Sequence, residues 1–278
     1  MGQWRLPVIS GRGTSDLTIS TGTAANVTVT NGAANTKGSW TQVVASTTDE
    51  WHGFYVQMTT TGVSATNTAR LVDIGIGAAG SEVVVVADMS MGHYSVPHAV
   101  FIPLLIPKGV RVAVRSAGVI ASDAKSVAIH GIAGVGACPQ WIYRRCTTYG
   151  TDSANSRGTA VNLPATANTD GAWTQLVAST TYDHRAFMIT PGLGRGGTAV
   201  TACNAAFRIG VGGSGSEQNL TGYAWQYVSS TSENYDPGRV PRWTAQQHSV
   251  PAGSRLTVAA KGNTASFAQW DVSIHAFD

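Results

Sequence analysis

Apolar and polar positions alternate along this chain in short runs. "NVTVT" (26–30), "FYVQM" (54–58), "RVAVR" (111–115) and "SVAIHGI" (126–132) are of strand length, and "EVVVVADM" is short and β-branched. Gly, Asn, Pro and Ser separate the runs at intervals of roughly 8–15 residues, the spacing of strands joined by turns. No segment carries an i, i+3, i+4, i+7 stripe, so no amphipathic helix is predicted. The edge exposed by "VVVVA" needs cover, which oligomerisation would supply.

The pattern is written twice. "WTQVVASTT" (40–48) returns as "WTQLVASTT" (173–181), eight of nine positions matching at an offset of 133. The preceding residues agree as well, "ANTKGSW" against "ANTDGAW". Further on, "VDIGIGAAGSE" (72–82) pairs with "FRIGVGGSGSE" (207–217), "IPKGVRVAV" (106–114) with "VPAGSRLTV" (250–258) and "VAIHG" (127–131) with "VSIHA" (272–276). The offset only grows, as it does when loops lengthen around a kept framework. The chain is therefore expected to be all-β, with two tandem homologous antiparallel β-sandwich domains, residues 1–138 and 139–278. About eight strands per module favour a jelly roll, with an immunoglobulin-like sandwich as the alternative.

Composition fits this picture. Only 12% of residues are charged, against roughly 25% in an average domain. The 32 glycines suit tight turns. A net charge of +3, with no basic run beyond Arg144-Arg145, gives no footprint for nucleic acid. No apolar run reaches the ~18 residues of a spanning helix, and the amino-terminal residues carry no secretory signal pattern. Synthesis in a cytoplasm without membrane insertion is the expectation. Cys138, Cys146 and Cys203 are odd in number and widely spaced, which suits thiols better than a disulfide framework.

One motif suggests chemistry. Gly75, Gly77 and Gly80 spell G-x-G-x-x-G after an apolar run. A dinucleotide fingerprint needs a helix next, so that the pyrophosphate meets its N-terminus. Here a strand-like run follows, and the second copy repeats the glycines as Gly210, Gly212 and Gly215, so a hairpin turn is predicted. Asp73 becomes Arg208 in the second copy and is no shared catalytic carboxylate. His130 and His275 are repeat-equivalent and read as structural, and the paired Trp40 and Trp173 read as core. His93 and His98 lack a visible third metal ligand. No catalytic residue, cofactor or metal site is expected.

The second copy differs over 223–243, "YAWQYVSSTSENYDPGRVPRW". Tyr223, Trp225, Tyr227, Tyr235 and Trp243 fall there, as candidates for contact with a neighbouring subunit or for stacking on sugar rings. Alternation in "YAWQY" puts three rings on one face of a strand.

Together, "GSWTQVVAST", "DIGIGAAGSE" and "IPKGVRVAVR", and their second versions, resemble tandem β-sandwich modules in virion proteins of tailed bacteriophages. The resemblance implies a non-enzymatic, homo-oligomeric structural component of the virion, in capsid decoration, a head fibre or spike, or a tail-associated part. Its partners would be other virion proteins and itself. The alternative is a carbohydrate-binding β-sandwich recognising host surface glycans.

Overall fold

The computed structural model describes residues 18–20, 27–59, 70–91, 98–133, 143–193, 203–220, 224–228, 235–236, 243–264 and 270–278. Nine strands precede residue 134: β1 (Thr18–Ser20), β2 (Val27–Thr30), β3 (Thr41–Val44), β4 (Phe54–Thr59), β5 (Arg70–Ile76), β6 (Val83–Met91), β7 (His98–Ile102), β8 (Val112–Gly118) and β9 (Ala124–Ala133). Twelve follow: β10 (Cys146–Tyr149), β11 (Thr151–Asp152), β12 (Arg157–Val161), β13 (Thr174–Val177), β14 (His184–Leu193), β15 (Cys203–Val211), β16 (Gln218–Asn219), β17 (Ala224–Val228), β18 (Tyr235–Asp236), β19 (Trp243–Val250), β20 (Leu256–Gly262) and β21 (Trp270–Phe277). A 3-10 turn over Ser153–Asn155 is the one helical segment among the described residues. No described helix is long and apolar enough to cross a membrane.

The pairing is nested. β2 pairs with β9, β3 with β8, β4 with β7 and β5 with β6, all antiparallel. The chain is thus one long hairpin, folded so that successive pairs alternate between two sheets. β9–β4 contacts join the pairs of one sheet, and β8–β5 contacts those of the other. This is the jelly roll. An immunoglobulin-like sandwich would break the nesting. The second half repeats it: β12 with β21, β13 with β20, β14 with β19 and β15 with β17, joined through β14–β21 and β15–β20. The fold is all-β, two tandem jelly-roll sandwiches. Every strand ladder stays within one half, while an isolated parallel bridge joins Leu104 to Tyr143.

Period-two alternation places Val29, Val56, Ile74, Val114 and Ile129 inside the first sandwich. Phe187, Phe207, Val258, Trp270 and Ile274 fill the second, where the Phe207 and Trp270 rings meet edge to face at 5.2 Å. The first core does not end at its own sheets. Ala186, Met188 and Phe277, all from the second half, belong to it. They lie on the outer face of the β21–β14 sheet, and β6 of the first half packs across β10, β14 and β21.

That contact revises the expectation for "VVVVA". β6 is an edge strand, but the chain itself covers it around Val86 and Met89, both fully buried. Its start remains open, with Val83 65% and Val84 39% exposed. A bulge helps. Val72 pairs with Met89 and Ile74 with Val86, leaving Ala87 and Asp88 opposite one residue, with Asp88 at φ +49°.

Candidate functional site

The repeated motifs form a turn lock. β5 leaves at Ile76 and returns at Val83, its direct partner, and Val211 pairs with Gln218 in the second copy. Gly77 and Gly212 sit at φ +117° and +120°, and Gly80 and Gly215 at +79° and +81°, where a side chain would be strained. The glutamate closing each motif holds an arginine from the neighbouring strand. Arg111 Nη1 donates to Glu82 Oε1 at 2.6 Å and its Nε to Gln42 Oε1 at 3.0 Å. Arg255 does the same to Glu217 at 2.7 Å and Gln175 at 2.8 Å. Burial pushes the Glu82 carboxyl up, but the Arg111 hydrogen bond and backbone amides outweigh it and leave it below the usual range. At Glu217 the Arg255 hydrogen bond leads in the same direction. The G-x-G-x-x-G string is a hairpin held by an ion pair.

Trp40 and Trp173 are not core residues. Both are half-buried on the outer faces of their sheets. Each lies against the first glycine of its motif, where an added Cβ would come within 2.7 Å of the indole. Each carries a guanidinium on its ring, Arg115 over Trp40 at 4.5 Å and Arg208 over Trp173 at 4.6 Å. The two arginines come from different strands. Arg115 is on β8, opposite Asp73 of β5, whereas Arg208 stands in the position of Asp73, opposite Ala259.

The ion pair beside it is inverted in step. Lys37 meets Asp73 at 2.6 Å in the first copy, and Asp170 meets Arg208 at 3.0 Å in the second. Asp73 also accepts from Arg115 Nε at 2.8 Å and from the bulged Asp88 amide at 2.8 Å. The position noted as unshared chemistry is a shared contact of reversed sign.

Four of the five candidate aromatics have backbone positions among the described residues. Tyr223 lies outside the described residues. Trp225 and Tyr227 are alternate residues of β17, opposite Ala206 and Asn204 of β15. Tyr235 of β18 pairs with Val228 at the far end of the same strand. Trp243 is on β19 opposite Met188, in the other sheet. Cys146 is a free thiol whose pKa burial pushes up. Cys138 and the loop at His93 lie outside the described residues.

What sequence reasoning missed is the seam between the sandwiches. Thr148 Oγ1 donates to the Ala87 carbonyl at 2.5 Å, across the seam. Its single proton is thereby spent, so at 2.9 Å it accepts from His275 Nδ1–H. Nε2 is left as an acceptor, with Thr190 Oγ1 at 3.5 Å, itself 2.6 Å from Ser273 Oγ. His275 is fully buried, and burial pushes its pKa down to about 3, so it stays neutral. The Tyr143 and Phe277 rings, 5.7 Å apart, close one side of the seam. The structural role expected of the histidine pair holds for His275, whereas His130 is half-exposed on a face that no strand of the other half covers among the described residues.

One polar cluster has no counterpart among the described residues. Buried Arg70 pairs with Asp123 and donates to Asn31 Oδ1 at 3.3 Å, and Ser116 Oγ donates to the same oxygen at 2.8 Å. Lys125, also buried, is 4.0 Å from Asp123, and burial, with repulsion from Arg70, pushes its pKa down to about 8. In the second copy the place of Arg70, opposite a glycine of the neighbouring strand, is taken by Ala205.

No family model matches the chain, and no curated protein matches it. Two solved structures are similar in outline. PNGF-II is 11% identical with a TM-score of 0.42, over 93% of this chain and 63% of its own. A peptide-N(4)-(N-acetyl-β-D-glucosaminyl) asparagine amidase is 10% identical with a TM-score of 0.29, over 91% of this chain and 96% of its own. This chain therefore spans less than two thirds of the length of PNGF-II. Likeness at this level says nothing of activity, and the assignment of the fold stands on the strand pairing.

Proposed function

We propose that this chain is a non-enzymatic structural component of a bacteriophage virion, decorating the capsid or forming part of a fibre or tail appendage. The observation that carries the reading is the seam. The outer face of one jelly roll is buried under an edge strand of the other as completely as a core, so residues of both modules share one buried cluster. The repeated ion pairs serve the same end, each bracing a turn or an outer strand. Jelly rolls build both capsid and lectin domains, so the fold alone leaves function open. The virion assignment also draws on the resemblance of the three repeated motifs to phage particle proteins.

Alternate placement of Trp225 and Tyr227 on one strand favours a second reading, a surface for host glycans. Peptide mass spectrometry on purified phage particles from the source lysate separates the two. Peptides of this chain at the copy number of a structural protein are expected. Their absence from the particles overturns the virion reading. Quenching of tryptophan fluorescence by host-surface polysaccharide, abolished in Trp225→Ala, would put the glycan reading in its place.

A further inference from the structure

The interior of the first sandwich changes character at one end. Arg70 is in step with Val72 and Ile74 on β5, and Lys125 with Val127 and Ile129 on β9. Ser116 is in step with Val114 on β8, and Asn31 lies two residues beyond Val29 of β2. Four polar side chains thus continue an apolar core, drawn from both sheets, with Asp123 beside them. The two cationic side chains are each 1% exposed.

The second sandwich shows that the framework needs none of them. Val29 pairs with Lys125 as Val161 pairs with Trp270, so Trp270 holds the place of Lys125. Arg70 pairs with Gly118 as Ala205 pairs with Gly262, and Ser116 with Val72 as Ala260 with Phe207. Leu163 stands two residues beyond Val161, as Asn31 does beyond Val29. Trp270, Ala205, Ala260 and Leu163 all belong to the second core. Buried charge is costly unless its donors and acceptors are satisfied, and apolar residues commonly serve stability as well or better. Stability therefore does not account for the polar set.

The hydrogen bonds leave a specific remainder. Arg70 spends Nη1 and Nη2 on Asn31 Oδ1 and on the carbonyl and carboxylate of Asp123. The Ser116 hydroxyl donates to Asn31 Oδ1, and the Asn31 amide donates to the Ile120 carbonyl at 3.1 Å. Arg70 Nε and Lys125 Nζ have no hydrogen-bond partner among the described residues. Charge is unbalanced as well. Arg70 and Lys125 share one carboxylate, and Lys125, its pKa pushed down only to about 8, keeps its proton at neutral pH. One positive charge is left uncompensated where both cations are shut from water.

We infer that this end of the first sandwich holds a monovalent anion of chloride size, bound by Arg70 Nε and Lys125 Nζ. A single negative charge balances the cluster, whereas the Asp123 carboxylate disfavours a doubly charged phosphate or sulfate. Small size follows from a place between two packed sheets, whose backbones lie about 10 Å apart. The unspent buried groups of the cluster are donors only, and a halide accepts without donating. The inference is independent of the virion reading, and either stands without the other.

The test uses the full chain, unfolded in urea at constant ionic strength as sodium gluconate is replaced by sodium chloride. An ion bound by the folded chain alone raises stability with its concentration. Once the site fills, the folding equilibrium constant of the wild type is expected to rise about tenfold for each tenfold rise in chloride. Lys125→Met, which removes a donor and the surplus charge together, is expected to lose that rise. General salt effects act on both chains, so the difference between them isolates the site. Bromide gives a direct second reading. Wild-type crystals grown in sodium bromide are expected to show an anomalous peak within hydrogen-bond reach of Arg70 Nε and Lys125 Nζ. That reading needs no variant, so it decides the matter if Lys125→Met fails to fold. Equal chloride dependence in the two chains, or no bromide peak at this place, overturns the inference. A wild type stabilised by sulfate at matched ionic strength and not by chloride overturns it too.

Discussion

The two sandwiches share a framework and differ in what lies on it. Both lock the same hairpin with Gln, Glu and Arg, and both lay a tryptophan on a glycine beneath a guanidinium. They part at the outer ion pair, where Lys37–Asp73 becomes Asp170–Arg208, and at the outer sheet face, open around His130 and closed around His275. The first difference shows that the contact, not the residue, is what the fold requires. Charge is exchanged across the pair because both members change. The second shows that one face can be either surface or core, depending on what the rest of the chain sets against it.

The ion pair offers the largest effect. Asp73→Arg alone places a third cation beside Lys37 and Arg115 at a site where the carboxylate side chain is only 5% exposed. A loss of about 3–5 kcal/mol is expected in urea unfolding, the range for breaking a buried pair. Adding Lys37→Asp and Arg115→Ala transplants the second copy's arrangement and should recover most of that loss. No recovery would mean that the two sites are not interchangeable.

The open and closed faces come next. Phe277→Ala should cost about 3–5 kcal/mol, as for a buried aromatic. Its counterpart Ile132→Ala, half-exposed, should cost about 1 kcal/mol in the dilute chain. Equal costs would show that the first face is already covered.

At the shared position the copies should behave alike. Gly75→Ala and Gly210→Ala each drive a methyl against an indole ring, for about 1–3 kcal/mol each. A large cost in one copy alone would break the equivalence of the two tryptophan shelves.

The last comparison is of slopes rather than of a single cost. With the His275 pKa pushed down to about 3, the unfolded chain binds a proton that the folded chain refuses between that value and the ordinary pKa of about 6.5. The contribution is complete above about pH 6.5 and is lost as pH falls, by up to about 1.4 kcal/mol per pH unit. Unfolding midpoints from pH 7 to pH 4 should fall less steeply in His275→Gln than in the wild type.

Much of this frame is legible in the amino-acid sequence. Strand positions follow from alternation, and the hairpin follows from a strand-like run where a nucleotide site needs a helix. The choice of jelly roll over immunoglobulin-like sandwich does not, because alternation marks strands without saying which strand pairs with which. Duplication alone reads Trp40 as core, yet Gly75 and Gly210 at matched places mark a ring lying on a bare backbone. The inverted pair was also visible, in Lys37 against Asp170 and Asp73 against Arg208, once both exchanges are read together. The seam left no such trace. His130 and His275 are the same letter in the same string, and what separates a surface imidazole from a buried one is β6 of the other half, whose Ala87 carbonyl meets Thr148 beside His275.

Ala133 ends β9, and by Tyr143 the chain is already paired with Leu104, so only nine residues connect the two sandwiches. A tether of that length holds the two faces of the seam at an effective concentration of the order of millimolar. A contact of merely micromolar strength is then saturated within each chain, however dilute the protein. Fusing two copies of one module in this way frees the joint between them from mass action, so the seam depends on chain connectivity rather than on abundance.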